Sequence, residues 1–224
     1  MRRCLIVGGN SSIGTEIDGI FSKNGYEVIK TTRRKTPVDN TSALYVDFSS
    51  CSCGDQLAKK VGFIDVVIFC TGHLPGKDLL NYSNEDFNDV VESNILQVFR
   101  TLKVVLPLLN ERASVIFIGS ISGSAGSFDE VYAASKASLV GLTKSLAVKS
   151  EKKIRFNCLA PGLIEGSTMG KKLTVAQVSK HKKQTPTGEL LQLNQVAKIC
   201  FDLCEPHWSS LNGQIINVNG GRYV

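Results

Sequence analysis

The segment Phe63 to Cys70, FIDVVIFC, is apolar at every position but one. It reads as a central parallel strand buried on both faces. The constraint is severe, because parallel strands cannot be joined by tight hairpins and need crossovers that place helices on the sheet. The rest of the chain supplies what such a sheet requires. Further strand-like runs lie at Arg3 to Val7, Tyr26 to Thr32, Ala43 to Phe48, Ala113 to Gly119, Ile154 to Leu159 and Gly213 to Val218. Between them, apolar residues fall at helical spacing in Ile13 to Phe21, Phe87 to Leu109, Tyr132 to Ser150 and Asn194 to Cys204. Strands alternating with helices predict an α/β doubly wound parallel sheet of about seven strands, with right-handed crossovers and helices on both faces.

Length and composition narrow the class. A chain of 224 residues suits one sizeable α/β core, so residues 1–224 are read as a single domain. Hydrophobic residues at 42% and charged residues at 21% belong to an ordinary soluble protein. The net charge of +6 suits an anionic ligand such as a phosphorylated cofactor and is too dispersed to argue for nucleic acid. No apolar run is long enough to span a bilayer. The basic start MRRCLIVGGN stops being apolar at Gly8-Gly9, too early for a signal peptide, so a cytoplasmic location is expected. Seven cysteines, an odd number, fit reduced thiols better than a disulfide framework, and no ligand spacing predicts a metal site.

The first strand runs into Gly8-Gly9-Asn10-Ser11-Ser12-Ile13-Gly14. Small residues there let backbone approach a ligand, and the helix that follows offers free N–H groups and a positive dipole end to a pyrophosphate. At the end of the second strand, where an acidic residue would accept the ribose hydroxyls of NAD, the chain carries Thr32-Arg33-Arg34. A guanidinium pairs with a 2′-phosphate, so NADP is expected over NAD. Asp47 closes the third strand, Thr71-Gly72 follows the fourth, Ser120 follows the fifth and Pro161-Gly162 follow the sixth. Open α/β sheets keep their ligands at these carboxyl ends. Tyr132 and Lys136, four residues apart in a helix-favouring stretch, emerge on one face about one turn apart. A phenol titrates near pH ~10, and a neighbouring cation favours the phenolate and brings it toward a useful range.

In this order and spacing, GGNSSIG at 8–14, Asp47, Asn94, IGSISG at 118–123, YAASKASL at 132–139, LAPGLIE at 159–165 and NGQIINVNGG at 212–221 resemble the short-chain dehydrogenase/reductase family. The pattern is similar to its 3-oxoacyl-(acyl-carrier-protein) reductase type. The resemblance implies a Rossmann-like fold and an NADP-dependent reduction of a ketone or 3-oxoacyl carbonyl on a small-molecule, acyl-carrier or CoA-linked substrate. It further implies that Tyr132 donates the proton, Lys136 lowers its pKa and binds the nicotinamide ribose, Ser120 holds the substrate oxygen and Asn94 holds a water. Gly8, Ser11, Ser12, Ile13 and Gly14 would line the pyrophosphate. Asp47 would meet adenine, Arg33 the 2′-phosphate, and Gly72, Pro161, Gly162 and Ile164 the rest of the cofactor. The helices at 87–109 and 131–150 resemble those that pair subunits, which implies a homodimer or homotetramer.

Four positions depart from the family pattern: Ser12 replaces a glycine, Cys70-Thr71-Gly72 replaces Asn-Ala-Gly, Ser120 precedes Tyr132 by one residue fewer than usual, and Gly166-Ser167-Thr168 is shifted. A catalytically weak NADP-binding sensor or scaffold that keeps the fold is the alternative from another class, and the intact Asn94, Ser120, Tyr132 and Lys136 set argues against it. Nucleotide-sugar epimerases use a similar Tyr–Lys pair but need a larger carboxyl-terminal domain than the ~60 residues after Pro161. The segment Glu165 to Pro186, polar and Lys-rich, is expected to be a mobile cover, with Lys171, Lys172, Lys180, Lys182 and Lys183 available to an acidic carrier.

Overall fold

The computed structural model describes residues 1–32, 44–46 and 53–223. In chain order the first elements are β1 (Arg3–Val7), α1 (Ser12–Lys23), β2 (Glu27–Thr32), β3 (Leu44–Tyr45), α2 (Cys53–Val61) and β4 (Ile64–Phe69). There follow α3 (Asn84–Val91), a π-helical turn (Glu92–Leu96), α4 (Gln97–Val105), β5 (Leu109–Ile118), the one-turn α5 (Ser122–Ala125) and α6 (Glu130–Lys149). The chain closes with β6 (Arg155–Pro161), β7 (Ile164–Glu165), α7 (Val175–Lys183), β8 (Leu191–Gln192), α8 (Leu193–Cys204) and β9 (Ile215–Val218).

Seven strands form one sheet in the order β3-β2-β1-β4-β5-β6-β9, every neighbouring pair parallel. The order reverses between β1 and β4, which makes the topological switch point where ligands bind in such sheets. Alternation along each strand divides the core in two. Leu5, Val7, Val67, Phe69, Val115 and Phe117 pack with Leu57, Leu102, Val105 and Leu139 on the face of α2, α4 and α6. Cys4, Ile6, Val66, Ile68, Ile116 and Ile118 pack with Ile17, Phe21, Val196 and Cys200 on the face of α1 and α8. Phe69 and Phe117 are cross-strand neighbours with rings stacked at 5.1 Å. Each fully buried side chain of this size contributes ~1.5–3 kcal/mol of transfer free energy, which fixes the sheet as a rigid floor.

Two expectations need correction, and one helix is new. The stretch 87–109 is not one helix: it splits into α3, the π turn and α4. Pro107, which has no N–H to continue the ladder, sits in a 3₁₀ turn just before β5 begins. The polar segment 165–186 is not a bare cover. It carries α7, started by a reciprocal Thr174–Gln177 capping box, with Ile164–Glu165 paired to Leu191–Gln192 in a second, two-stranded sheet. Helix α2, whose apolar spacing spans only nine residues, was not anticipated from sequence.

Candidate active site

Lys136 ties two strand ends together. Its Nζ donates to the carbonyl of Thr71, just after β4, at 3.3 Å and to that of Ile118, the last residue of β5, at 3.0 Å. The side chain is 5% exposed, and burial draws its ammonium down to about 8, against the opposing pull of the Cys158 and Cys70 thiols. An ammonium has three hydrogens; two are committed to the sheet and one remains for a ligand. Gly72 makes room for it, since a Cβ there would sit 3.2 Å from Nζ.

Tyr132, one turn earlier on α6, is also buried. Burial pushes its phenol up to about 12, a side-chain hydrogen bond with Ser120 works against that, and the charge of Asp129 adds to it. Burial thus outweighs the lowering of this pKa expected from Lys136. The ammonium stands 5.9 Å from the ring centroid and is engaged with carbonyls, while loss of solvent around the phenolate dominates. Ser120 follows β5 and Gly119, accepts the N–H of Ser122 at 3.1 Å and is pinned by the neighbouring Ile121 N–H on the Pro161 carbonyl.

Asn94 occupies the π turn and is 1% exposed. Its Oδ1 accepts the His73 N–H at 2.7 Å, and its Nδ2 donates to the His73 carbonyl at 3.0 Å and to Ser135 Oγ at 2.8 Å. Ser135 in turn donates to the Tyr132 carbonyl at 2.7 Å. Both amide hydrogens are thus spent on protein, and the side chain clamps the loop after β4 to α6.

The glycine turn has the shape a phosphate requires. Gly8 holds φ +79 against Thr71, and a Cβ on Gly14 would lie 2.8 Å from Gly9 Cα, so the helix start is pressed onto the strand end. Ser11 caps α1 by accepting the Gly14 N–H at 3.0 Å; the earlier first-turn N–H groups, at Ser12 and Ile13, have no intrahelical acceptor. The Thr71 hydroxyl, beside this turn, is buried and has no hydrogen-bond partner among the described residues. An orphaned donor, open helix amides and a cradle closed to Cβ atoms fit a dinucleotide phosphate. Across the cleft, Ser12 Oγ lies 3.2 Å from Thr168 Oγ1, bringing the segment after β7 over the helix start. Pro161 ends β6, Gly162 bonds the Val218 carbonyl at 2.8 Å, and Ile164 sits in β7 with its side chain in the α1/α8 core. Arg33 and Asp47 lie outside the described residues.

Two residues at the site escaped the sequence reading. Asp129, wholly buried, caps α6, and Tyr82 reaches it across 47 residues of chain. Asp129-Glu130 before an Ala-rich helix is an N-cap signal that could have flagged the first. Nothing local points to the second.

A doubly wound sheet with a phosphate-shaped turn at its switch point and a Ser, Tyr and Lys gathered at adjoining strand ends defines a dinucleotide-dependent oxidoreductase. A family model described as Enoyl-(Acyl carrier protein) reductase matches residues 7–222. A 3-oxoacyl-[acyl-carrier-protein] reductase FabG of Buchnera aphidicola subsp. Baizongia pistaciae is 33% identical over 174 residues, covering 76% of this chain and 71% of that one. The FabG of Escherichia coli is 28% identical over 236 residues, covering 98% and 96%. A solved short-chain dehydrogenase/reductase, named as a glucose/ribitol dehydrogenase, from Brucella melitensis superposes with a TM-score of 0.91 at 26% identity, covering 100% of this chain and 97% of its own. The chain belongs to the NAD(P)-dependent short-chain dehydrogenase/reductase family. Among the described residues, no helix is long and apolar enough to cross a membrane.

Proposed function

We propose that this single-domain protein reduces a 3-oxoacyl thioester, or a similar ketone, to the alcohol with NADPH. The observation that carries the reading is the buried Tyr132 phenol hydrogen-bonded to Ser120, with Lys136 holding one hydrogen uncommitted beside them. A bound nicotinamide supplies the hydride. Ser120 and Tyr132 hold the substrate oxygen where charge develops, and Tyr132 gives it the proton. Lys136 offers its remaining hydrogen to the nicotinamide ribose, and Asn94 keeps the loop after β4 against α6; a water near its unspent acceptor lone pair would resupply the proton. The first turn of α1, from Ser11 to Gly14, with Gly8, receives the pyrophosphate. Gly72, Pro161, Gly162 and Ile164 border the nicotinamide end. Arg33 takes the 2′-phosphate and Asp47 the adenine, which makes NADP the preferred cofactor and NAD the weaker one.

The substrate's carrier is proposed from the basic α7 region, where Lys171, Lys180 and Lys183 are exposed and Lys182 pairs with Glu165 at 3.4 Å. The relatives named as 3-oxoacyl-[acyl-carrier-protein] reductases support an acidic carrier. The exposed Val91 and Phe99, on the helices expected to pair subunits, support a homo-oligomer, dimer or tetramer. A cytoplasmic location completes the reading.

The matching family description names enoyl reduction, in which the proton goes to carbon. A phenol and a hydroxyl converging on one oxygen favour the carbonyl instead. Purified protein should oxidise NADPH with a 3-oxoacyl thioester at least ~10-fold faster than with the 2-enoyl thioester of equal length, and faster than NADH. Turnover of the enoyl compound alone reverses the assignment, and tight NADPH binding with neither reaction leaves the sensor reading standing.

A further inference from the structure

The loop between β4 and α3 is tied by hydrogen bonds to the π turn and to the start of α6. Asn94 fixes it at His73. Three residues on, the N–H groups of Gly76 and Lys77 both donate to Asp129 Oδ2, at 3.0 and 3.4 Å. The chain then makes its 3₁₀ turn and returns, so that the Tyr82 hydroxyl donates to Asp129 Oδ1 at 2.6 Å. That same Oδ1 accepts the backbone N–H of Tyr132 at 2.9 Å. One wholly buried carboxylate therefore holds both the loop and the start of the helix that carries the proton donor. Among the described residues it makes no salt bridge, and these hydrogen-bond donors stabilise its charge.

We infer that Asp129, latched by Tyr82, is a positioning residue that fixes the loop His73 to Tyr82 as a substrate-side wall at a set distance from the Tyr132 hydroxyl. This rests on the reductase reading of the site. Geometry gives the carboxylate two tasks. Oδ1 joins the helix N–H of Tyr132 to the Tyr82 hydroxyl and Oδ2 takes the loop amides of Gly76 and Lys77, so a shift of helix or loop moves the other. Its negative charge also lies three residues from Tyr132 and opposes ionisation of that phenol. Around Tyr132 the other facing groups are Ser120 after β5, Lys136 on α6, and the Cys70 and Cys158 thiols beside Lys136. Around Asp129 they are Tyr82, Glu130, which accepts the Leu79 N–H at 3.0 Å, and the Lys77–Asp86 ion pair at 2.7 Å. Tyr82 stays protonated as a donor: burial, and then its bond to Asp129, push its phenol well above the usual range.

Asp129→Asn tests both tasks. The amide oxygen still accepts from Tyr132 and Tyr82, so the helix cap survives. The NH₂ group, however, confronts the Gly76 and Lys77 N–H groups as donor against donor. Hydrogen exchange at those two amides should accelerate ~10-fold or more, a readout that needs no turnover and so stands whether or not the reductase reading does. In the working enzyme KM for the carbonyl substrate should rise about tenfold with NADPH affinity unchanged. Removing the charge also lowers the Tyr132 pKa, so the alkaline fall of the reduction rate should begin at lower pH. Tyr82→Phe breaks one bond and keeps the charge; it should raise KM about threefold and leave the pH limb in place. Unchanged exchange at Gly76 and Lys77 in Asp129→Asn overturns the latch. Unchanged KM in Tyr82→Phe, which removes a single hydroxyl and serves if Asp129→Asn does not fold, overturns it equally. Loss of thermal stability in both variants with neither KM nor the pH limb moved reduces Asp129 to an ordinary helix cap.

Discussion

The α6 and α7 helices both begin with a side-chain cap, yet they are built on opposite plans. At α6 the cap residue is buried, and Tyr132, Ser135 and Lys136 behind it are buried too, each polar atom matched to a named partner. In α7 no residue is buried, and its last turn carries Lys180, His181, Lys182 and Lys183. A buried polar network with nearly every group engaged has few low-energy arrangements, which keeps the Lys136 hydrogen left over aimed in one direction. A helix with no buried face is held by its caps and few contacts, which suits a surface that must meet a large partner and release it.

The largest effect should come from breaking the buried side. Tyr132→Phe keeps the ring in its pocket and removes only the hydroxyl. Turnover should fall about a thousandfold while NADPH affinity stays within error, measured by fluorescence titration. Normal turnover in that variant would move proton transfer elsewhere and end the contrast.

A smaller effect sharpens the role of Lys136. Burial draws its ammonium down to about 8, and its neutral form has no hydrogen left after the Thr71 and Ile118 carbonyls are served. Cofactor affinity should therefore fall as pH rises, by about tenfold between pH ~7 and pH ~9, as the protonated fraction falls through that midpoint. The slope should vanish in Lys136→Met. Calorimetric titration at several pH values decides it, and a flat profile in the wild type would show that the ribose does not use the third hydrogen.

The smallest effect belongs to α7. Lys180→Glu with Lys183→Glu should raise KM for a carrier-linked substrate several-fold, since exposed charge pairs are worth only ~0.2–1 kcal/mol each. KM for a small surrogate should not change. Equal effects on both substrates would make α7 part of the pocket wall and erase the distinction from α6.

How much of this was legible beforehand follows from distance along the chain. Tyr132 and Lys136 sit one helical turn apart, so their common face followed from spacing alone. The alternation of Leu5 and Val7 against Cys4 and Ile6 likewise assigned each side chain to one face of a two-sided sheet. The capping box of α7 was equally local, and it was missed because polar, Lys-rich composition outweighed a two-residue signal. The π turn at Asn94 was not legible, because a single inserted residue leaves the apolar pattern of the flanking helix nearly intact.

The amino-acid sequence by itself determined the alternation of the seven main strands with helices, the glycine turn that opens α1 and the presence of a phenol–ammonium pair on one helix, since each depends on interactions within about one turn or one strand. Only the tertiary structure decided the electrostatic state of that pair and who holds it in place. Burial, which is a property of the packed sheet, raised the phenol and lowered the ammonium, and the groups that fix them, from Asn94 to Tyr82 and Asp129, meet only after crossovers bring distant segments to the same edge of the sheet.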